Sequence, residues 1–214
     1  MKKIKTLLIT VLISSIVSVS YAQTFGVSGG LNFSKMSIKD NFGTADSKMI
    51  VGYHLGVSTE FPFDKKFSFE TGLFLSTKGT KRTEISPLGH EYDTEYKANL
   101  TYLDIPLNAK VRIDLKTLKL YGVFGPYLSV GLNGKSYEDG DGTNINWGTD
   151  SDNDNLKRLD YGLNIGAGVE VNTIKIGLTY GLGLANISSY TDDGTKVSNQ
   201  VLSISIGYMF GEKK

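Results

Sequence analysis

One face of this chain stays free of charge through strand after strand. In "TYLDIPLNAKVRID", residues 101–114, Leu103, Ile105, Leu107, Ala109 and Val111 alternate with Asp104, Pro106, Asn108 and Lys110. A period of two is a strand period, because successive side chains leave a pleated strand on opposite faces. The pattern recurs over roughly 24–34, 49–61, 67–78, 97–111, 118–132, 157–171, 174–187 and 197–210, which predicts eight strands. No stretch shows a convincing helical period. The uncharged face runs from Phe25, Val27 and Leu31 in the first strand to Ile204, Ile206, Tyr208 and Phe210 in the last. The other face holds Glu60, Glu70, Asp104, Lys110, Asp160, Glu170 and Lys175 among many glycines and serines.

Alternation alone does not say which face is inside. A lipocalin-like soluble barrel would turn its aliphatic face inward and its polar face to water. Two features argue the opposite. The polar face is rich in Gly (Gly26, Gly30, Gly52, Gly56, Gly162, Gly166, Gly168), which a solvated strand avoids because Gly loses backbone entropy and packs nothing. An eight-stranded interior is only wide enough for side chains to fill, so it needs small residues. A lipid-facing surface must also exclude charge, at about 2–4 kcal/mol for each Lys or Arg at midplane. The aliphatic face therefore points to lipid. The expected fold is all-β, an eight-stranded antiparallel up-and-down transmembrane barrel.

The connections agree. "PFDKK", "IDLKT" and the two-residue Asn172-Thr173 are short. "SKMSIKDNFGTADSK", "STKGTKRTEISPLGHEYDTEY" and "NGKSYEDGDGTNINWGTDSDNDN" are long. Short turns at one end and long loops at the other describe an outer-membrane barrel with both termini in the periplasm. The leading "MKKIKTLLITVLISSIVSVSYAQ" has a basic start, a short apolar run and a small-x-Ala exit. It predicts a signal peptide over 1–22 and one barrel domain over 23–214. No Cys exists to be lipidated, bridged or oxidised. Without Lys2, Lys3 and Lys5, 20 basic face 22 acidic residues, and so balanced a chain gives no reason to expect nucleic acid as a partner.

"TFGVSGGLNFSKM", "YLDIPLNAKVRI", "GPYLSVGL", "LDYGLNIGAGVEV" and "LSISIGYMF" together resemble the PorT-like outer-membrane β-barrel family of Bacteroidota. The similarity covers essentially the whole chain after residue 22. It implies an eight-stranded barrel in the outer membrane and, through the family's namesake, a link to protein secretion. The closing strand also resembles the signal read by the barrel-assembly machinery, with aromatics at Tyr208 and Phe210 before "GEKK". The partners expected are outer-membrane lipids, that machinery and an extracellular or secretion-system protein. Pro106 and Pro126 cannot donate to a ladder, so bulges are expected beside them.

Residues that could carry chemistry are few. His54 and Ser58 share the polar face but stand about 13 Å apart along one strand, too far for a base and its nucleophile. His90 falls in a long loop. Asp150, Asp152 and Asp154, in the acidic loop 139–154, alternate as in the first half of a calcium loop. Asn155 then stands where the invariant Gly belongs and Tyr161 where the bidentate Glu belongs. The reading taken is therefore a solvated acidic loop and not a calcium site. Trp147 and Tyr137 read as interface or partner-contact aromatics. No catalytic, cofactor-binding or metal residues are assigned. The expected function is a structural or interaction barrel. The alternatives are an outer-membrane lipid-modifying or proteolytic enzyme, and a soluble periplasmic ligand-binding barrel.

Overall fold

The computed structural model describes residues 23–211 except 42, 46, 85–93, 151, 152, 154, 192 and 193. The expected leader, His90, Asp152 and Asp154 lie outside the described residues. Ten strands follow in order: β1 (Thr24–Asp40), β2 (Gly43–Ala45), β3 (Ile50–Pro62), β4 (Phe67–Glu84), β5 (Thr94–Asp114), β6 (Lys119–Glu138), β7 (Asp141–Asn144), β8 (Leu159–Val171), β9 (Ile174–Gly183) and β10 (Lys196–Phe210). Eight of them form a ring, β1-β3-β4-β5-β6-β8-β9-β10, each antiparallel to the next. The ring closes where β10 pairs with β1 from Phe25↔Phe210 to Lys39↔Lys196. Closure leaves no edge, which in hydrocarbon is the only way a sheet satisfies every backbone group. The two short strands stand outside the ring, β2 on β1 and β7 on β6.

Large aliphatic side chains cover the outside. Val51 and Leu55 are each 65% exposed, and Ile206 is 59% exposed. A soluble barrel would bury such residues, so that alternative fails on this surface. Inside, Asn108, Lys110, Asp160 and Glu170 are buried.

Beyond this belt the alternation inverts. On β1, Phe33 points out and Ser34 in; two residues later Lys35 points out and buried Met36 in. On β5, Leu103 is the last aliphatic outside; beyond it Leu100 is buried inside while Thr101, Asn99 and Lys97 continue the outer face. The barrel is polar inside and apolar outside within the membrane, and the reverse above it. Met36, Leu100, Tyr102, Ile145, Ala185, Ile187 and Val197 form an apolar core in the protruding section, with Trp147 and Leu156 packed against it. The inversion marks the outer membrane surface.

Three expectations are corrected. β1, β4 and β6 run several residues further into the long connections than the alternation indicated, and the ninth strand stops at Gly183; Ala185 and Ile187 turn into the outer core instead. Neither proline carries a bulge. The β5–β6 ladder skips Leu107 and Asn108 opposite Pro126 and Gly125, then resumes at Ala109↔Phe124 with its register kept. The irregularity lies higher up, between Thr101 and Tyr102, where Leu132 is the unpaired residue of β6. Trp147 is no free contact aromatic: it stands edge-on to Tyr102 with ring centroids 5.7 Å apart.

At the periplasmic end the Asp64 carboxylate accepts the backbone N–H groups of Lys66 (2.6 Å) and Phe67 (2.7 Å) and closes the β3–β4 turn. Those bonds, the one from Phe67 first, hold its carboxyl below the usual range. Asn172 turns the β8–β9 hairpin at φ 52°, a conformation Asn tolerates better than most residues.

Candidate functional site

The inside of the barrel is crossed by two charged layers. The lower one sits near the short turns. Lys110 from β5, with no exposed side-chain surface, lies 2.7 Å from Glu60 of β3 and 3.6 Å from Glu70 of β4, and bonds Glu170 of β8. Arg112, one step along the same face of β5, binds Glu60 and lies 3.4 Å from Glu170; Lys175 of β9 binds Glu70. Three cations therefore face three carboxylates. Tyr121 of β6 stands between two of the cations, with Lys110 Nζ 4.7 Å and Lys175 Nζ 4.8 Å from its ring centre. A charge taken from water is costly unless paired and hydrogen-bonded, and here each charge has a partner.

The upper layer is built on Lys78 of β4. Its ammonium lies 3.0 Å from Asp104 and 3.6 Å from Asp160, and donates to Ser129 Oγ at 3.0 Å. The rings of Tyr102 and Tyr127 flank it at 4.7 and 4.9 Å. Asn199 of β10 donates to Asp160 at 2.9 Å.

Between the layers lies a cavity of about 160 Å³ lined mainly by polar side chains, Asn32, His54, Asn108 and Asn164 among them. Asn32 is its hub. Its amide donates to Ser76 Oγ at 2.9 Å and to the Thr77 carbonyl at 3.1 Å, and its carbonyl accepts from Ser203 at 2.8 Å. His54 Nδ1 stands 2.8 Å from that same carbonyl oxygen, which makes Nδ1 the donor. The His54 and Phe74 rings stand edge to face with their centroids 6.3 Å apart. This histidine is held as a wall element, its Nδ1 spent on an amide and not on a serine.

All seven charged residues expected to share the inner face are there: Glu60, Glu70, Lys110, Glu170 and Lys175 belong to the lower layer, Asp104 and Asp160 to the upper. Sequence reasoning missed Lys78 and Arg112. Both continue the inward parity, Lys78 from Ser76 and Arg112 from Lys110, but they fall at or just past the ends of the strands that the alternation indicated, 67–78 and 97–111. It also missed the tyrosines. Glycines on facing strands make room for them: a Cβ on Gly168 or Gly177 would run into the Tyr121 hydroxyl, and one on Gly162 would sit 2.7 Å from the Tyr127 ring. At Gly177 that hydroxyl is the only close contact. Gly177→Ala should therefore destabilise the barrel clearly in the native background and hardly at all in Tyr121→Phe, a coupling read by a double-mutant cycle of urea unfolding in detergent. Equal costs in both backgrounds would show that the tyrosine is not what demands the glycine.

Above the upper layer, the protruding section holds a second, more open cavity of about 490 Å³ whose apolar wall includes Met36, Ile38, Ala98 and Val197. Among the described residues no cluster of three or more His, Asp or Glu could hold a metal ion. Among the described residues no helix is long and apolar enough to cross a membrane; the crossing is made by strands.

A closed eight-stranded ring, apolar outside and charged within, defines a bacterial outer-membrane β-barrel protein. Residues 21–189 match the outer membrane protein beta-barrel domain, and the chain belongs to that family. No curated protein sequence matches it. Among solved structures it is similar to the outer membrane protein OprG from Pseudomonas aeruginosa, at 17% identity over 90% of this chain and 98% of that one, with a TM-score of 0.50. It also matches Ail, the attachment invasion locus protein of Yersinia pestis, at 19% identity over 88% and 99% of the two chains, TM-score 0.41. Neisserial surface protein A matches at 14% over 87% and 97%, TM-score 0.45. At such identities the likeness shows the fold alone.

Proposed function

We propose that this barrel is a closed, non-conducting outer-membrane protein whose work is done at its outer face, as a structural or interaction protein and not as an enzyme. The observation that carries this reading is the pair of charged layers. An ion crossing the lumen would have to break both, and separating one partner from a buried pair costs about 3–5 kcal/mol. The protruding section, with its apolar core and its β2 and β7 additions, offers a structured surface above the membrane.

The sequence resemblance to PorT-like barrels supports a partner in protein secretion across the outer membrane, and the aromatic closing strand supports insertion by the barrel-assembly machinery. Nothing in the charge balance favours nucleic acid. The alternative of a lipid-modifying or proteolytic enzyme gains nothing from His54, whose Nδ1 is committed to Asn32.

The test is twofold. Purified protein in planar bilayers should show no discrete channels; stable channels would replace the plug with a pore. A deletion strain should lose secreted proteins while outer-membrane permeability stays unchanged. Unaltered secretion would remove the secretion link and leave the closed barrel standing.

A further inference from the structure

On the outer face of the protruding section, lysines of neighbouring strands stand opposite each other in two places. On β1 and β10 the outward pairs above Phe33↔Leu202 are Lys35↔Gln200, Ser37↔Ser198 and Lys39↔Lys196. On β4 and β5 the outward pairs above Leu75↔Leu103 are Thr77↔Thr101, Gly79↔Asn99 and Lys81↔Lys97. Lys135 of β6 follows beside Asn99. The two walls repeat one plan: small or polar residues just above the aliphatic belt, then two lysines directly opposite each other, six residues beyond the last aliphatic pair.

Like charges directly opposite on one face of an antiparallel pair are destabilising. Lys81 is relieved by Glu95 at 2.6 Å. Among the described residues neither Lys39 nor Lys196 pairs with a carboxylate. A cross-strand arrangement that weakens the sheet by itself is accounted for if an anion lies across it.

The height of the pairs says which anion. Six residues at about 3.3 Å each span about 20 Å of strand, or about 15 Å along the membrane normal at a strand tilt of about 40°. A phospholipid headgroup region is only about 5–8 Å thick. Lys35, two residues above Phe33, sits within that depth; Lys39 and Lys196 stand well above it. A molecule that is anchored in the outer leaflet and carries anionic groups at both heights is a lipid with a tall charged sugar headgroup. We infer that Lys35, Lys39 and Lys196 form a binding site for the phosphate or carboxylate groups of an anionic glycolipid of the outer leaflet, lipopolysaccharide in chemical class, with Lys81, Lys97 and Lys135 a second site on the opposite wall. This inference rests on the membrane placement of the belt and not on the closed lumen.

Two opposed effects test it. Full-length barrel is reconstituted into phosphatidylcholine vesicles with or without lipopolysaccharide, and its thermal unfolding midpoint is read from the loss of the fast-migrating folded form on gels. Lipopolysaccharide should raise the wild-type midpoint by several degrees. Lys39→Gln/Lys196→Gln should lose most of that rise, yet unfold at a higher temperature than wild type in phosphatidylcholine alone, because the repulsion is gone. Lys39→Gln by itself should show both effects in part. A variant that responds to lipopolysaccharide as wild type does, or that is less stable than wild type in phosphatidylcholine, overturns the site. Two further arms fix the source. A lysine-dependent rise of equal size with phosphatidylglycerol would show that height is irrelevant, and one with soluble inorganic polyphosphate would show that no lipid anchor is needed. Either result overturns the glycolipid assignment.

Discussion

Replacing Lys110 by Met should lower the unfolding free energy of the barrel by about 3–5 kcal/mol, the range found when one member of a buried ion-paired set is removed. The side chain has no exposed surface and touches Glu60, Glu70 and Glu170. Without it, Arg112 and Lys175 remain to balance three carboxylates, so one negative charge is left without a counterion where water cannot reach it. Methionine fills most of the volume, so the loss is electrostatic and not a cavity effect. If charge balance is the cause, Lys110→Met/Glu170→Gln should recover a large part of the loss, because two cations then face two carboxylates. Urea unfolding in detergent measures both variants. A single variant that loses less than about 1 kcal/mol, or a double variant worse than the single one, would show that the lower layer does not hold the barrel together.

Ile206→Arg probes the other face. Ile206 lies at the middle of the outward set Leu202, Ile204, Ile206, Tyr208 and Phe210 of β10, and it is 59% exposed. In hydrocarbon at that depth an arginine costs about 2–4 kcal/mol. On a water-facing strand a substitution at so exposed a position would change stability by no more than about 0.5 kcal/mol. The two environments therefore predict clearly different numbers for one substitution, and unfolding in reconstituted bilayers separates them. Ile206→Val, which keeps the surface apolar, should be nearly silent.

What the sequence disclosed and what it hid both follow from where the membrane ends. Within the bilayer the aliphatic side chains of Phe25, Val27, Leu31 and Phe33 must alternate with Gly26, Ser28, Gly30 and Asn32, because lipid lies on one side and a narrow polar lumen on the other. That contrast is strong, and it gave the strand number, the faces and most of the lumen charges. Above the bilayer the outer face meets water. "SKMSIKD" and "TKGTKRTE" continue β1 and β4, but their polar positions have moved to the outside and they read as loop. The apolar residues there, Met36 and Ile38, are too few to announce a strand of opposite sense. Lys78 was hidden in the same way, at the point where the belt ends. Tyr121 and Tyr127 were hidden differently: their parity is inward, but only the facing glycines of β8 and β9 show that the lumen has room for them. The outer core could not be read at all, since Ile145, Leu156 and Ile187 reach it from the long connections.

Spin labels on two neighbouring residues of β10 test the closed, lipid-embedded barrel most directly. The chain has no native thiol, so Ile206→Cys and Ser205→Cys each give one attachment site, the first outward and the second on the wall of the lumen cavity. In reconstituted bilayers the label at 206 should collide often with dissolved oxygen, which concentrates in hydrocarbon, and rarely with a water-soluble nickel chelate. The label at 205 should also be shielded from the chelate, because the charged layers close the lumen above and below it. Frequent collision of the chelate with the label at 206 would contradict the lipid-facing belt, and frequent collision at 205 would contradict the closed lumen.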